Sequence, residues 1–317
     1  MSDTLVVLSH GLWGVHEHMG FLEQEIKKQY KDNIQILNLD CNEAKYSYDG
    51  IDICGQRAAN QIQDKLKELK SVTKISLIGY SLGGLILRYA IGILGKSGIF
   101  EHTEPLYFIT FATPHMGVKN PTEGTFSGLF NYISGRILSR TGDQLQLRDK
   151  FTQNGDPILC ALSDPNDIYF KYLDQFKYKR VYANVANDFS VHYWTAGIEN
   201  MDYFQDQKKR LNVEMNEKYP SLLASFDLPS REKQSSIDIT AGSPWRYAFI
   251  PAVPTILPLY LLLIFSVLGI QGLNSRRRVA QIMSNPDKLI AHHQGQTKST
   301  EQTEFLVNFL DVMNIPA

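Results

Sequence analysis

The chain has 317 residues, of which 43% are hydrophobic and 21% charged, enough for one large α/β domain with additions. Its net charge of -1 gives no overall field toward nucleic acid, so nucleic acid is excluded as an expected partner and any attraction to an anionic membrane has to come from local clusters. Cys41, Cys54 and Cys160 are an odd, widely spaced set without a C-x-x-C pair, which excludes a disulfide scaffold and reads as reduced core thiols.

The chain opens with Asp3 and a short apolar run, without the basic start and long apolar stretch of a signal peptide, so the expectation is a domain facing the cytosol. Residues 4–8 and 34–39 read as strands. Ile51, Cys54, Ala58, Ile62, Leu66 and Leu69 recur at helical spacing, with Asp49 and Asp52 as candidate caps. Residues 74–78 and 106–111 are again β-rich, with a helical stretch over 82–94 between them. Strand and helix in alternation predict a buried, mostly parallel sheet with helices on both faces.

Residues 118–177 break that rhythm. Phe126, Leu129, Phe130, Ile133, Ile137 and Leu138 fall on one helical stripe, which fits either a lid that meets an acyl chain or a helix packed on the core. A strand follows over 179–186, ending in Asn187-Asp188. Residues 199–218 read as a charged helix, and 227–243 as a polar, flexible linker.

From 247 to 275 no residue is charged, and 248–270 is long enough to cross a bilayer core, which needs about 20 apolar residues. Pro251, Pro254 and Pro258 crowd its first half and disfavour a straight helix; Arg276, Arg277 and Arg278 supply a basic edge. A bent insertion that enters one leaflet and returns keeps both flanks on the cytosolic side and is preferred to a kinked transmembrane helix. A buried core helix is the plain alternative. The organisation expected is therefore a domain over 1–225 with a lid-like insertion at 118–177, a linker over 226–246, a membrane-embedded segment over 247–275 and a tail over 276–317.

The chemistry concentrates at Gly79-Tyr80-Ser81-Leu82-Gly83, directly after the strand over 74–78. In this G-x-S-x-G pattern small residues flank a serine at a sharp strand-to-helix turn, which projects its hydroxyl above the sheet. Ser81 is the expected nucleophile of an α/β-hydrolase. A bare strand-to-helix turn is the bland reading, but His10-Gly11-Leu12-Trp13-Gly14 stands after the first strand, where an oxyanion loop belongs. The backbone N–H groups of Leu12 and Leu82 are the expected oxyanion donors, and His10 the brace of that loop. The acid and base should follow the serine. Asp188 is the expected acid, ahead of Asp143, Asp167 and Asp202, although an aspartate at a strand end is also a common turn former.

His192 stands too close to Asp188 to come from a separate loop. This leaves His292 and His293, which precede a helix-like stretch over 303–312, with His293 preferred; both could equally be exposed bystanders in a polar tail. His16-Glu17-His18 lacks a second ligand cluster at matching spacing and reads as a pocket rim. No metal or cofactor is expected.

His10-Gly11-Leu12-Trp13-Gly14, Gly79-Tyr80-Ser81-Leu82-Gly83-Gly84, Phe111-Ala112-Thr113-Pro114-His115-Met116-Gly117, Thr141-Gly142-Asp143-Gln144-Leu145 and Tyr182-Ala183-Asn184-Val185-Ala186-Asn187-Asp188 occur in one order. As a set, over about residues 4–195, they resemble the fungal serine esterase family of α/β-hydrolases that includes the yeast lipid-droplet phospholipase. The resemblance implies a phospholipase or acylglycerol lipase with Ser81 as nucleophile and Asp188 as acid, associated with lipid droplets or the endoplasmic reticulum. Family members carry the catalytic histidine near the C-terminus before Ile-Val-Arg-like residues, a pattern absent here. Either His293 or His292 substitutes, or the chain stops before the base.

The leading expectation is thus a serine lipase acting on lipid esters at a membrane or droplet surface. A soluble carboxylesterase or acyl-protein thioesterase with the same triad, and an inactive droplet-anchored binding protein lacking its base, are the alternatives.

Overall fold

The computed structural model describes residues 3–118, 139–186, 188, 190–204, 212–227 and 253–285. In chain order the main elements are β1 (Thr4–Ser9), α1 (Gly20–Tyr30), β2 (Ile34–Asn38), α2 (Ile51–Glu68), β3 (Lys74–Tyr80), α3 (Leu82–Lys96), β4 (Glu104–Phe111), α4 (Ser139–Leu145), α5 (Ile158–Ser163), α6 (Ile168–Asp174), β5 (Tyr178–Tyr182), α7 (Tyr193–Gly197), β6 (Asn212–Met215), β7 (Leu223–Asp227) and α8 (Val253–Ser284). The five strands β2-β1-β3-β4-β5 form one sheet in that order, every neighbouring pair parallel. Parallel strands need crossover connections, and the helical stretches between the apolar runs supply them.

One face of the sheet carries the larger core. Leu5, Val7, Ile75, Leu77 and Phe108 meet Ile51, Cys54, Ala58 and Ile62 of α2 and Leu85, Ile86 and Leu94 of α3. On the other face, Val6, Leu8 and Ile78 pack beneath Met19 and the α1 residues Leu22 and Ile26. The strand order turns from β1 outward to β2 on one side and to β3 on the other. A crevice opens at such a switch point beyond the carboxyl ends of the strands. Here it lies between the ends of β1 and β3, where Ser9 pairs with Gly79.

Several expectations change. Neither Asp49 nor Asp52 caps α2, whose N-cap is Gly50 with no side-chain cap of its own. The amides at its start are capped across the fold: Gly50 N–H donates to Thr141 Oγ1 (3.0 Å) and Ile51 N–H to Gln144 Oε1 (2.6 Å). Asp52 instead binds Arg140, with Gln144 Nε2 on the same carboxylate at 2.9 Å. The charged helix expected over 199–218 is absent from its described part, which runs into the antiparallel hairpin β6–β7. Alternating Asn212-Val213-Glu214-Met215 suits a strand as well as a helix once a partner strand is present. Cys41 and Cys54 are buried free thiols as read, whereas Cys160 is exposed.

Of the lid-like insertion, the stripe over 126–138 lies outside the described residues. Residues 119–125 lie outside them as well, and from the described part Leu145, Ile158, Leu159, Leu162, Tyr169 and Phe176 join the main cluster. The linker beyond Asp227 and the tail beyond 285, with His292, His293 and the stretch over 303–312, also lie outside them. Within the uncharged segment, α8 runs as one helix from Val253 through Pro254 and Pro258 to Ser284, in place of a bend. Pro254 stands in the first turn, where a missing N–H has no helical partner to lose. Among the described residues, no helix is long and apolar enough to cross a membrane. The end of α8 docks on the domain, with Val279 and Ile282 buried.

Candidate active site

Ser81 joins β3 to α3 with φ 51° and ψ −126°, a backbone region that costs a non-glycine residue about 1–3 kcal/mol. Two bonds from the end of β4 hold it there. Ser81 N–H donates to Phe111 O (2.8 Å), and Thr113 Oγ1 donates to Ser81 O (2.8 Å). The small residues of the pattern make the turn possible. A Cβ on Gly83 would collide with the carbonyls of Ser9 and His10, so a side chain there would drive α3 off the end of β1.

The oxyanion loop lies against this serine. A Cβ on Gly11 would stand 2.8 Å from Ser81 Cβ and 3.3 Å from its Oγ, which places the start of the Gly11–Gly14 turn beside the nucleophile. Gly14 N–H closes that turn on Gly11 O (3.1 Å), and Trp13 takes a left-handed φ of 58°. Trp13 N–H is used by Ser47 Oγ at 3.0 Å. The Leu12 amide takes no part in these bonds and precedes that turn residue, and the Leu82 amide is the first of α3, without an intrahelical acceptor. Neither amide is used by these bonds, which leaves both open to an acceptor from outside the described residues. His10 is 2% exposed, its Nδ1 bonded to Gly11 O at 2.9 Å, and burial holds its pKa below the usual histidine value. A neutral, enclosed imidazole suits a brace and not a base.

Asp188 follows β5 on the same end of the sheet. Its Oδ1 accepts from Ser190 N–H (3.1 Å), Ser190 Oγ (2.9 Å) and Val191 N–H (2.9 Å), while Oδ2, among the described residues, accepts from Asn184 Nδ2 (3.1 Å) alone. The carboxylate thus builds its own turn through one oxygen and keeps capacity on the other. Its charge reaches Tyr80, whose pKa is raised by burial first and by Asp188 second, so Asp188 lies near the residue preceding Ser81. Asp143 and Asp167 lie elsewhere: Asp143 pairs with Arg148 and Arg276, and Asp167 caps α6. Asp202 accepts from Phe204 N–H in its own turn (3.0 Å), and His192 is the N-cap residue of α7. The structure brings Glu43 to His16 and Glu17, a ligand-like trio that sequence spacing did not reveal. His16 and Glu17 are exposed, and the pairing of His16 with Glu43 reads as a surface ion pair.

Sequence reasoning assigned no role to the segment after β4. Thr113 there holds Ser81. His115, 4% exposed, accepts from Arg88 Nη1 at Nδ1 (3.3 Å), so its Nε2–H donates to Thr110 Oγ1 (2.9 Å). Burial, with Arg88 adding to it, pushes its pKa down to about 3. Thr195 on α7 closes the other side, accepting Met116 N–H (3.0 Å) and donating to Gly117 O (2.8 Å). The block Phe111–Gly117, one of those that carry the family resemblance, was the available signal.

Comparison with known proteins identifies the family. A family model described as "Putative serine esterase (DUF676)" matches residues 1–200. Among curated relatives, the "Putative lipase YDL109C" of Saccharomyces cerevisiae is 34% identical over 212 residues, covering 63% of this chain and 31% of that protein. The "Putative lipase ROG1" of the same yeast is 30% identical over 232 residues, covering 71% of this chain and 33% of that protein. The chain thus spans about a third of the length of these relatives. Among solved structures, the propeptide form of the Bacillus licheniformis lipase BlEst2 aligns with 58% of this chain and 36% of that one, at 18% identity and a TM-score of 0.39.

Proposed function

This chain belongs to the putative serine esterase family, and from that membership we propose that it hydrolyses carboxylic esters of lipids through an acyl-enzyme on Ser81. The observation that carries the reading is the strained Ser81 at the end of β3 with the Gly11–Gly14 turn beside it, which supports the Leu12 and Leu82 amides as oxyanion donors. Ser81 Oγ attacks the ester carbonyl carbon while its proton passes to an imidazole. The carbonyl oxygen becomes an oxyanion between the two N–H groups, and collapse of the tetrahedral species expels the alcohol, which takes the proton from the imidazolium. Water, activated by the same imidazole, then releases the fatty acid. Asp188 orients the base through Oδ2, and His293, or its neighbour His292, supplies it. Each oxyanion donor in such a site contributes about 10²–10³ in rate. A fluorophosphonate probe is expected to label the wild-type chain and not Ser81→Ala; equal labelling of both refutes the assignment.

We further propose that the substrate is met at a lipid surface, on the cytosolic side of a droplet or of the endoplasmic reticulum. The support is the uncharged run over 247–275 and the outward side of α8, where Val267, Ile270 and Leu273 are 37%, 59% and 60% exposed. Replacing these three by Gln is expected to release the chain from floated phospholipid vesicles. Undiminished flotation overturns the surface reading and leaves the hydrolase reading standing.

A further inference from the structure

Between the oxyanion loop and α8 lies the 3-10 segment Ala44–Tyr48, and its carbonyls are gripped one after another. Ser47 Oγ donates to Ala44 O (2.6 Å), Arg278 Nη2 to Lys45 O (2.8 Å), Arg57 Nη1 and Cys54 Sγ to Tyr46 O (both 3.3 Å), and Thr141 Oγ1 to Ser47 O (2.7 Å). Apart from Ser47 itself, the donors come from α2, α4 and α8, three helices far apart in sequence. Asp49, fully buried just after the turn, ties two of them together. It binds Arg57 Nη2 (2.7 Å), Arg278 Nη2 (2.8 Å) and the Ser275 hydroxyl (2.6 Å). The guanidiniums of Arg57 and Arg278 also lie over the Tyr46 ring, 5.5 and 5.1 Å from its centroid.

On its other side the same turn holds the oxyanion loop. Ala44 N–H donates to Gly14 O (2.9 Å), and Ser47 Oγ accepts Trp13 N–H (3.0 Å). Gly14, held through its carbonyl, donates its own N–H to Gly11 O (3.1 Å), the oxygen of the peptide that carries the Leu12 N–H, and the Trp13 N–H bond fixes the next peptide, so the turn sets the direction of the Leu12 N–H from both sides. We infer that Arg278 is a positioning residue for the reaction: by docking α8 on Lys45 O and Asp49 it sets the Ala44–Tyr48 turn, which in turn aims the Leu12 amide at the developing oxyanion. The inference rests on the reading of Leu12 as an oxyanion donor. It also gives the basic run after the apolar segment a role within the protein: Arg278 and Arg276 face Asp49 and Asp143, while Arg277 is exposed.

The chemistry requires a particular pattern of loss. A misaimed oxyanion donor is felt in the transition state and hardly in ground-state binding, so kcat falls while KM holds. The full chain carrying Arg278→Met is compared with wild type, with Arg278→Lys and with Arg277→Met. Turnover of a short-chain ester is expressed per site titrated by fluorophosphonate, which removes any effect of a smaller folded fraction. Arg278→Met is expected to lower kcat tenfold or more with KM within twofold, Arg278→Lys to recover part of it, and Arg277→Met to match wild type. Independently of activity, amide exchange in peptides covering residues 10–19 should speed tenfold or more in Arg278→Met, with peptides covering 74–80 unchanged. Unchanged exchange over 10–19, or unchanged kcat per titrated site, overturns the inference. Should Arg278→Met fail to fold, Ser47→Ala, which removes the Trp13 acceptor and leaves Arg278 in place, takes the same two readouts. Absence of Ser81 labelling in the wild type would refute the hydrolase reading, whereas the exchange measurement decides the positioning link without it.

Discussion

The Thr113 hydroxyl donates to the carbonyl oxygen of Ser81 across 2.8 Å, so the end of β4 restrains the residue with the strained backbone at the end of β3. Ser81 O also accepts Gly84 N–H at 3.1 Å, and the two donors together fix the peptide that opens α3. Thr113→Val keeps the shape and removes one donor. A loss of about 1 kcal/mol in urea unfolding is expected, with slower fluorophosphonate labelling of Ser81. Labelling at the wild-type rate would show that Gly84 alone suffices.

Gly83→Ala tests the close approach of α3 to β1. The added methyl meets the carbonyls of Ser9 and His10, which are backbone and cannot swing aside. Overpacking of this kind costs about 1–3 kcal/mol or more. A melting temperature within a degree or two of wild type would contradict the packing described.

Asp49→Asn leaves the buried Arg57 and the part-buried Arg278 guanidiniums with a neutral partner. Arg57 and Asp49 are 3% and 0% exposed, and removing one member of such a pair costs about 3–5 kcal/mol. The variant should unfold at markedly lower urea. A double change of Asp49→Asn with Arg278→Met should cost less than the sum of the two single changes, because both remove the same contact.

Tyr48 gives a prediction of the opposite sign. Among the described residues its buried hydroxyl has no hydrogen bond of ordinary geometry, nor has Trp13 Nε1, the donor nearest to it, in the ring packed 6.1 Å away. A buried polar group without a partner is destabilising, so Tyr48→Phe should be neutral or raise the unfolding free energy by up to about 1–2 kcal/mol. Clear destabilisation in urea unfolding would mean the hydroxyl is bonded in solution.

His115 sets a pH dependence. Its folded pKa is about 3, below the unfolded value of 6.5, because burial beside Arg88 disfavours the imidazolium. Above pH 6.5 both states are neutral and the group contributes nothing to the slope. Below it the unfolded chain binds a proton that the folded chain does not, so stability falls as the pH drops from 6.5 toward 3, by about 1.4 kcal/mol per pH unit from this group. Burial of His10, also depressed, adds to the same trend. His115→Asn should flatten the acid limb of a plot of unfolding free energy against pH, and an unaltered slope would show that His115 is not enclosed.

Much of this protein can be read along its chain because the relevant interactions are local. The alternation of apolar runs and helical spacing foretold β1 to β4, α2 and α3, since each signal is a period within one element. The Gly-x-Ser-x-Gly turn is equally local: its demand for small residues and a positive φ is met within five residues, so Ser81 could be named before any strand was paired. Likewise Leu12 and Leu82 follow from their positions after strand ends.

What folding alone decided are the contacts whose partners stand far apart. Asp49 looked like a helix cap because caps lie just before helices. Its true partners are Arg57, Ser275 and Arg278, the last two more than two hundred positions away, and no local pattern announces them. The cap of α2 came from Thr141 and Gln144, in a stretch expected to belong to a lid. Arg276 and Arg278 looked like a membrane edge because a run of arginines after an apolar segment usually meets solvent or lipid. A charge can leave water only where an opposite charge already waits, and where Asp49 waits is settled by how the helices pack.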